Sequence, residues 1–348
     1  MNLQIALLLG QDGMTSGAIY ALLALSIVLV FTVTRVLLVP QGEFVTFGAL
    51  TLAALQAGQP ARLAWLLLGL AAARLAQRLW AWQRGTAGEE APLGWRDAAG
   101  PAYALALLLI GLKLPASPWP LAVQLAFTLA LIVPLGPWLY DLCFRPIAAA
   151  HGLVLLIVSI AVHVVLVGLA LLMFGAEGAR TEPFSEDGLA LGPLRLNAQT
   201  LWVLAATLAL MLGLGLFFGR TLAGKALQAT AVSRLGAQLM GISPAQAGRW
   251  SFGLAAGIGA LSGALISPIT TLYYDSGFLI SLKGFVGAVV GGLVSYPLGA
   301  LGALTVGLIE AYSTFWASAY KEVIVFTLIL PVLLWRSLAS GSHDEEHA

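Results

Sequence analysis

Residues 219–226, GRTLAGKA, come nearest to nucleotide chemistry, because they fit the pattern GxxxxGK of a phosphate-binding loop. Such a loop needs backbone N–H groups around the phosphates, a Lys that reaches them and a Ser or Thr that holds Mg²⁺. Lys225 is present, but Ala226 stands where the magnesium ligand is needed, and the apolar run TLWVLAATLALMLGLGLFFG takes the place of the required strand. We therefore predict that this chain does not bind ATP and that any ATP-driven step belongs to another subunit.

One acidic residue lies in a short polar segment inside an apolar region. Gln41, Gly42 and Glu43 follow Pro40. Burying an unpaired carboxylate in a membrane costs several kcal/mol, and non-helical backbone at that depth is tolerated only against protein or a water-filled cavity. We predict that Gln41, Gly42 and Glu43 line a solute path; the alternative is a loop at the cytoplasmic interface, with Glu43 solvated or paired with Arg35.

The other polar residues in apolar runs have simpler interpretations. Glu310 is predicted to pair with Lys283 on a facing helix, with contact to the solute as the alternative. His163, in VSIAVHVVLV, has no second metal ligand at helical spacing, so a satisfied buried histidine is predicted. Cys143 is predicted to be a small buried hydrophobe. The sequence contains no paired carboxylates, Cys/His cluster or nucleophile elbow, so no catalytic site, no metal and no other cofactor is predicted.

The composition indicates what must position these residues. Of 348 residues, 59% are hydrophobic and only 9% are charged, whereas a globular domain has about 25% charged residues. This predicts an all-α, polytopic transmembrane helical bundle. The net charge of +1 gives no indication of nucleic-acid binding.

Roughly 8–11 spans are predicted from apolar runs that approach the ~20 residues needed to cross a bilayer. Several runs are short, and 102–114 is the least certain to be an independent span. The runs lie near residues 17–34, 36–57, 62–76, 102–114, 118–140, 153–174, 200–218, 250–273, 279–294, 298–318 and 322–335.

Charge in the connections predicts the orientation, because Lys and Arg are retained on the cytoplasmic side. Residues 219–249 carry four basic residues and no acid, whereas 175–199 carry four acids and two arginines. The first segment is therefore predicted to be cytoplasmic and the second periplasmic. Alternation then places residues 77–100 inside as an insertion and the N-terminus outside, and makes 339–348 a flexible cytoplasmic tail.

The cytoplasmic segment also has a helical pattern. Leu227, Ala231, Leu235 and Leu239 recur every four residues, which predicts one short amphipathic helix. Gly241 is predicted to end it with a left-handed residue, and Ser243 and Pro244 to begin the next helix. The apolar face needs a cover, which could be a soluble partner, the membrane surface or the protein's own helix ends.

These stretches together resemble the permeases of ABC importers, specifically the branched-chain amino acid (leucine, isoleucine and valine type) permease family. The similarity covers most of the chain, although residues 61–118 are longer than the family's usual core and the Arg-Pro-x-Gly-Leu ending is missing. It is carried by the small residues Gly219, Gly224, Ala229, Ala237, Gly241 and Ile242, by the polar motif Gln41, Gly42 and Glu43, by Arg145 and Pro146, and by a glycine-rich hairpin with Lys283, Gly291, Gly292, Pro297 and Glu310.

The resemblance implies an ABC importer permease fold, with one transmembrane permease domain over 1–338 in the bacterial inner membrane. Its partners would be cytoplasmic ABC ATPase subunits, a second permease subunit and a periplasmic solute-binding protein. The chain itself would not be an enzyme. The segment 219–249 would be the coupling loop that contacts the ATPase. The residues assigned to coupling are Lys225, Ala229, Arg234, Ala237 and Gly241, and those assigned a structural role in the membrane are Lys283, Glu310, Gly291 and Gly292.

Other functions stay open on the sequence alone. Permeases for urea, short amides or other amino acids would show nearly the same residues. An ion-coupled secondary transporter or channel would need acids in its core, for which Glu43 and Glu310 are the candidates. A membrane scaffold without transport is the third possibility.

Overall fold

The computed structural model describes residues 3–84, 95–113, 119–185, 188–191, 194–293 and 295–340. They form an all-α bundle with one small β-hairpin, so the predicted fold class is confirmed. The first seven helices are α1 (Leu3–Thr34), α2 (Gln41–Gln56), α3 (Leu63–Gln83), α4 (Trp95–Lys113), α5 (Leu121–Ile132), α6 (Leu135–Leu139) and α7 (Gly152–Phe174), with a π-helical turn at Tyr140–Phe144 and a 3-10 turn at Arg145–Ile147 between the last two.

The second half begins with the hairpin, β1 (Leu189–Leu191) paired antiparallel with β2 (Leu194–Leu196). Eight helices and one 3-10 turn, Ser318–Tyr320, follow. They are α8 (Ala198–Arg220), α9 (Leu222–Val232), α10 (Arg234–Leu239), α11 (Pro244–Ile266), α12 (Ser276–Val290), α13 (Tyr296–Ala317), α14 (Lys321–Thr327) and α15 (Ile329–Ser340).

Within the described residues, six helical segments are long and apolar enough to cross a membrane: Gln4–Thr34, Leu121–Ile147, Gly152–Phe174, Ala198–Arg220, Pro244–Ile266 and Tyr296–Leu334. Two shorter apolar helices, Ala98–Lys113 and Ser276–Val290, accompany them. These residues therefore form a multi-pass membrane protein.

The core is built around α1, which packs mainly on α13, α11 and α12. Glycines let these backbones approach closely. A Cβ on Gly307 of α13 would overlap the backbone of Gly17 in α1, and a Cβ on Gly263 of α11 would overlap the carbonyl of Val45 in α2. The small residues thus fix which helices are neighbours.

Hydrogen bonds show which connections between helices lie together at each end of the bundle. At the end that carries α9 and α10, the α9 end, Arg234 donates to the carbonyls of Val33 and Ala148 at 3.3 and 3.5 Å. At the other, the hairpin end, Arg180 donates to the Pro268 carbonyl at 2.7 Å and Arg62 to that of Met173 at 2.9 Å. The chain therefore enters α7 at the α9 end, near Ala148, and leaves it at the hairpin end, near Met173.

Several predicted connections are shorter than expected, because helices continue into them. Residues 77–83 of the insertion expected at 77–100 belong to α3, and residues 95–100 belong to α4. Residues 85–94 lie outside the described residues. The coupling loop expected at 219–249 loses its last six residues to α11. The tail expected from 339 begins inside α15, and residues 341–348 are outside the described part.

Candidate solute path and coupling surface

The second helix starts in the interior of the bundle. After α1 ends at Thr34, residues 35–40 are non-helical, and Arg35 has a left-handed backbone with φ of 59°. Ser159 of α7 replaces the missing helical hydrogen bonds: its hydroxyl accepts from the Val39 N–H at 3.0 Å and donates to the Leu37 carbonyl at 2.7 Å. The Val39 N–H and the Leu37 carbonyl also bond each other at 3.0 Å, so the serine hydroxyl gives each of these non-helical groups a second partner.

Gln41 fixes the start of α2 against the middle of α11. Its Nε2 donates to the Ala255 carbonyl at 3.0 Å, and Ala255 lies midway along the 23 residues of α11. The side chain is fully buried, and its Oε1 has no hydrogen-bond partner. This break is thus located beside the middle of α11.

Glu43 lies in the first turn of α2 and is 1% exposed. Its Oε1 is 2.8 Å from Nδ1 of His163, which lies midway along the 23-residue α7, while its Oε2 is buried without a partner. Arg35 is exposed, so the partner is the histidine and not the arginine considered as the alternative. A carboxylate in this position also interacts favourably with the N-terminal end of a helix.

The helix α12 begins at the same place. The N–H of Gly277 donates to Oγ1 of Thr46 at 3.0 Å, and a Cβ on either Gly42 or Gly277 would overlap the carbonyl of the other. The ring of Phe278 lies over His163, with centroids 4.6 Å apart. Two short helices therefore start in contact, and from there α2 runs to the hairpin end and α12 to the α9 end.

The structure brings together Gln41, Gly42 and Glu43 with partners that sequence reasoning did not assign. His163 had been singled out, but its partner had not, because nothing in the local pattern of α7 points to residue 43. Phe278 carried no signal at all. Both carry side chains that touch Glu43 or its partner, so they belong to the candidate path.

Lys283 and Glu310 also come together. Lys283 Nζ in α12 is 2.5 Å from Glu310 Oε1 in α13, and their side chains are 8% and 13% exposed. The hydroxyl of Tyr20 in α1 donates to Glu310 Oε2 at 2.7 Å. The three side chains join three central helices at one polar point.

Gly291 and Gly292 end α12. Gly291 packs so closely on Gly299 that a Cβ would overlap its backbone, and Gly292 has φ of 82°. A left-handed residue is readily adopted by glycine and closes a helix. These two residues thus turn the chain from α12 into α13.

The segment at the α9 end differs from the single helix predicted. Ser233 is extended, with φ of −150°, and divides it into α9 and α10; its hydroxyl accepts from the Gly236 N–H at 3.0 Å and so caps α10. Gly241 has φ of 78°, which confirms the predicted left-handed end, and Ser243 and Pro244 begin α11 as predicted.

The five residues assigned to coupling have different surroundings. Lys225 and Gly241 are exposed and Ala229 is half-buried. Arg234 ties the segment to α1 and to residue 148, and Ala237 is only 3% exposed. Ala237 therefore contacts this chain's own interior.

Other side chains form the exposed apolar surface of this segment, here called the apical patch. Leu227, in the predicted row, is only 1% exposed, whereas Leu235 and Leu239 are 68% and 80% exposed. A water-exposed protein surface seldom carries such large apolar groups close together without a partner. The patch consists of Leu222, Val232, Leu235, Leu239 and Met240.

Comparison with known proteins gives consistent matches. Residues 96–333 match the family model described as branched-chain amino acid transport system / permease component. The chain is 27% identical over 226 residues to the high-affinity branched-chain amino acid transport system permease protein BraD of Pseudomonas aeruginosa, covering 62% of this chain and 74% of that one.

Two further relatives carry the corresponding name LivH. Identity to that of Escherichia coli K12 is 27% over 200 residues, 55% of this chain and 64% of the relative. Identity to that of Salmonella typhimurium is 27% over 240 residues, 66% and 76% of the two chains. No solved structure was found to match the chain significantly.

Proposed function

This chain belongs to the family of permease components of branched-chain amino acid transport systems, and we propose that it is the membrane-spanning subunit of an ATP-driven importer. The solute would be a branched-chain amino acid or a similar small polar molecule. ATP would be hydrolysed by separate cytoplasmic subunits, and the chain would itself have no enzymatic site. A second permease subunit and a periplasmic solute-binding protein would complete the complex in the inner membrane.

The observation that supports transport most directly is the junction of α2 and α12. Two helix N-termini, two glycines in backbone contact and two unpartnered acceptors, Gln41 Oε1 and Glu43 Oε2, lie beside the middle of α11. An unsatisfied buried acceptor costs about 1–3 kcal/mol. Discontinuous helices at the bilayer midplane are a common way to build a solute site.

These acceptors fit a solute that donates N–H groups. An amino acid has an ammonium group, and an amide or urea has N–H groups, so both classes match Gln41 and Glu43. In this conformation both side chains are buried, so the solute would reach them only after α12 moves away from α2. We propose that this movement is the alternating-access step.

The apical patch supports the coupling role. It exposes apolar side chains at the end that the charge pattern predicts to be cytoplasmic, and Arg234 fixes it to the end of α1. A force on α9 and α10 would therefore reach α1, on which α12 and α13 pack. We propose that Leu235, Leu239 and Met240 contact the ATPase, while Arg234 and Ala237 hold the segment in place.

The first experiment tests coupling. Leu239→Glu with Met240→Glu adds charge to the apical patch, and Gln228→Glu, at an exposed site on α9 beside the patch, is the matched control. We expect the double variant to fold but to lose the co-purifying ATPase and ATP-dependent uptake, and the control to keep both. Uptake that continues without ATP and stops when the ion gradient is removed would instead show a secondary transporter.

The second experiment tests the path. Glu43→Gln removes a charged acceptor, and hydrogen bonds to charged groups are worth about 1.5–3 kcal/mol, which corresponds to roughly a 10- to 100-fold loss of uptake. The ATPase should still co-purify. Glu182→Gln, at an exposed site in the connection after α7, is the matched control. Competition by leucine, acetamide and urea identifies the solute class, and wild-type uptake in Glu43→Gln would remove Glu43 from the path.

A further inference from the structure

A groove open to the surroundings runs along α11, between α8 on one side and α5 and α6 on the other. Its first lobe has a volume of about 770 Å³ and its second about 480 Å³, and the two share four leucines. The shared residues are Leu210, Leu214, Leu254 and Leu261.

The polar lining residues of these two lobes are concentrated at one end. Gln246, Arg249 and Trp250 line the groove near the start of α11, at the α9 end. From Gly253 onward the lining on this helix is apolar: Gly253, Leu254, Gly257, Ile258 and Leu261. The second lobe is lined by apolar residues of α8 and α11, from Ala206 to Phe217 and from Leu254 to Leu261.

The length of the groove matches one leaflet. From Arg249 to Leu261 is 12 residues, or about 18 Å along a helix, close to the ~15 Å that one leaflet contributes to a hydrocarbon core of about 30 Å. On α8 the lining residues run from Phe217 back to Ala206, which lies about 21 Å from Arg220, the last residue of that helix. These lengths are close to half of the ~40–45 Å that a bilayer measures with its headgroups, so the groove spans about one leaflet from headgroup to midplane.

The polar end carries positive charge. Asp141 is 5% exposed and lies between two arginines: Arg249 Nε donates to its Oδ1 at 2.7 Å, and Arg74 Nε is an ion-pair contact at 3.0 Å from Oδ2, outside hydrogen-bonding geometry. Two guanidinium groups share one carboxylate, which leaves one positive charge in excess. Arg249 is 35% exposed and faces the groove.

We propose that this groove binds one anionic phospholipid, with its phosphate at Arg249 and its two acyl chains in the two lobes. Charge complementarity favours an anionic headgroup over a zwitterionic one, since a basic residue near a membrane surface is worth about 1 kcal/mol towards anionic lipid. Trp250, 50% exposed, lies at the headgroup level where aromatic side chains are enriched. Asp141 holds the Arg249 guanidinium in place.

Native mass spectrometry of the purified chain with added phosphatidylglycerol or phosphatidylcholine tests the proposal. We expect wild type to retain one phosphatidylglycerol more tightly than phosphatidylcholine. Arg249→Gln should lower phosphatidylglycerol affinity roughly fivefold, the factor that corresponds to losing one such basic contact. Arg249→Lys should keep the preference, and Arg220→Gln, which removes an exposed arginine at the same end outside the groove, should leave it unchanged.

A second variant tests the lobes without touching charge. A Cβ on Gly257 would meet only Val133 Cγ2 at 3.4 Å, so Gly257→Leu fills the groove at small steric cost and should expel both lipids. Equal retention of the two lipids by wild type, or unchanged binding in both Arg249→Gln and Gly257→Leu, would overturn the proposal. So would a lipid-free dimer that Gly257→Leu separates, because the groove would then hold a second permease copy.

Discussion

Replacing Lys283 with methionine removes one partner of a buried ion pair while keeping an unbranched side chain of similar length. Lys283 Nζ lies 2.5 Å from Glu310 Oε1, and both side chains are at least 87% buried. Breaking a buried pair by deleting one partner costs about 3–5 kcal/mol, because the remaining charge stays buried. Tyr20 still donates to Glu310 in the variant, so we expect a loss near the lower end, about 3 kcal/mol.

The same reasoning predicts non-additivity. Glu310→Met alone leaves the Lys283 ammonium buried and also removes the acceptor of the Tyr20 hydroxyl, so it should cost at least about 3 kcal/mol and more than Lys283→Met. The double variant leaves no buried charge at this point, only the hydroxyl of Tyr20 without an acceptor, which costs about 1–3 kcal/mol. The double change should therefore cost less than the sum of the two single changes, by at least about 3 kcal/mol.

The free energy of unfolding in mixed micelles, followed by tryptophan fluorescence during titration with a denaturing detergent, measures these differences. Lys225→Met is the matched control, since Lys225 is exposed and its loss should change stability by less than about 0.5 kcal/mol. Lys283→Met with unchanged unfolding and lost uptake would refute the structural role. It would then favour contact of the pair with the solute.

Two further predictions follow from glycines. Gly263→Ala should lower the unfolding midpoint clearly, because its Cβ would overlap the Val45 carbonyl, whereas Gly168→Ala, with no heavy atom within 4 Å of the new Cβ, should not; equal midpoints would contradict the α2–α11 packing. Gly241→Ala should cost about 1–2 kcal/mol through its φ of 78° alone, since nothing lies within 4 Å of a Cβ there. Gly241→Asn should cost less, and a reversed order in thermal unfolding would count against the left-handed cap.

The sequence predicted the fold class because composition alone decides it for so apolar a chain. The pairing of Lys283 with Glu310 was accessible for the same reason, since two opposite charges in adjacent apolar helices have few other partners. The Glu43–His163 contact could not be predicted, because nothing in a single sequence links residues that are 120 positions apart, and Arg35 was the nearer candidate partner.

The break at Ser233 shows a different failure. Leucines at 227, 235 and 239 continue one period of four across it, so periodicity predicted one helix. Serine is also a preferred N-cap residue, and its hydroxyl caps Gly236. The capping hydrogen bond of Ser233 begins a new helix despite the continuous leucine spacing. Leu235 and Leu239 on this second helix are exposed, whereas Leu227 on the first is buried.

The junction of α2 and α12 can be explained by the short lengths of these two helices. At about 1.5 Å per residue, the 16 residues of α2 and the 15 of α12 reach about 24 and 22 Å, each short of the ~30 Å core. Each can run from mid-depth to its own end of the bundle, and the two meet through Gly42 and Gly277. A contact between two backbones has no interlocking side chains to resist sliding. We propose that movement at this junction exposes Gln41 and Glu43 first, because both lie next to the glycine contact.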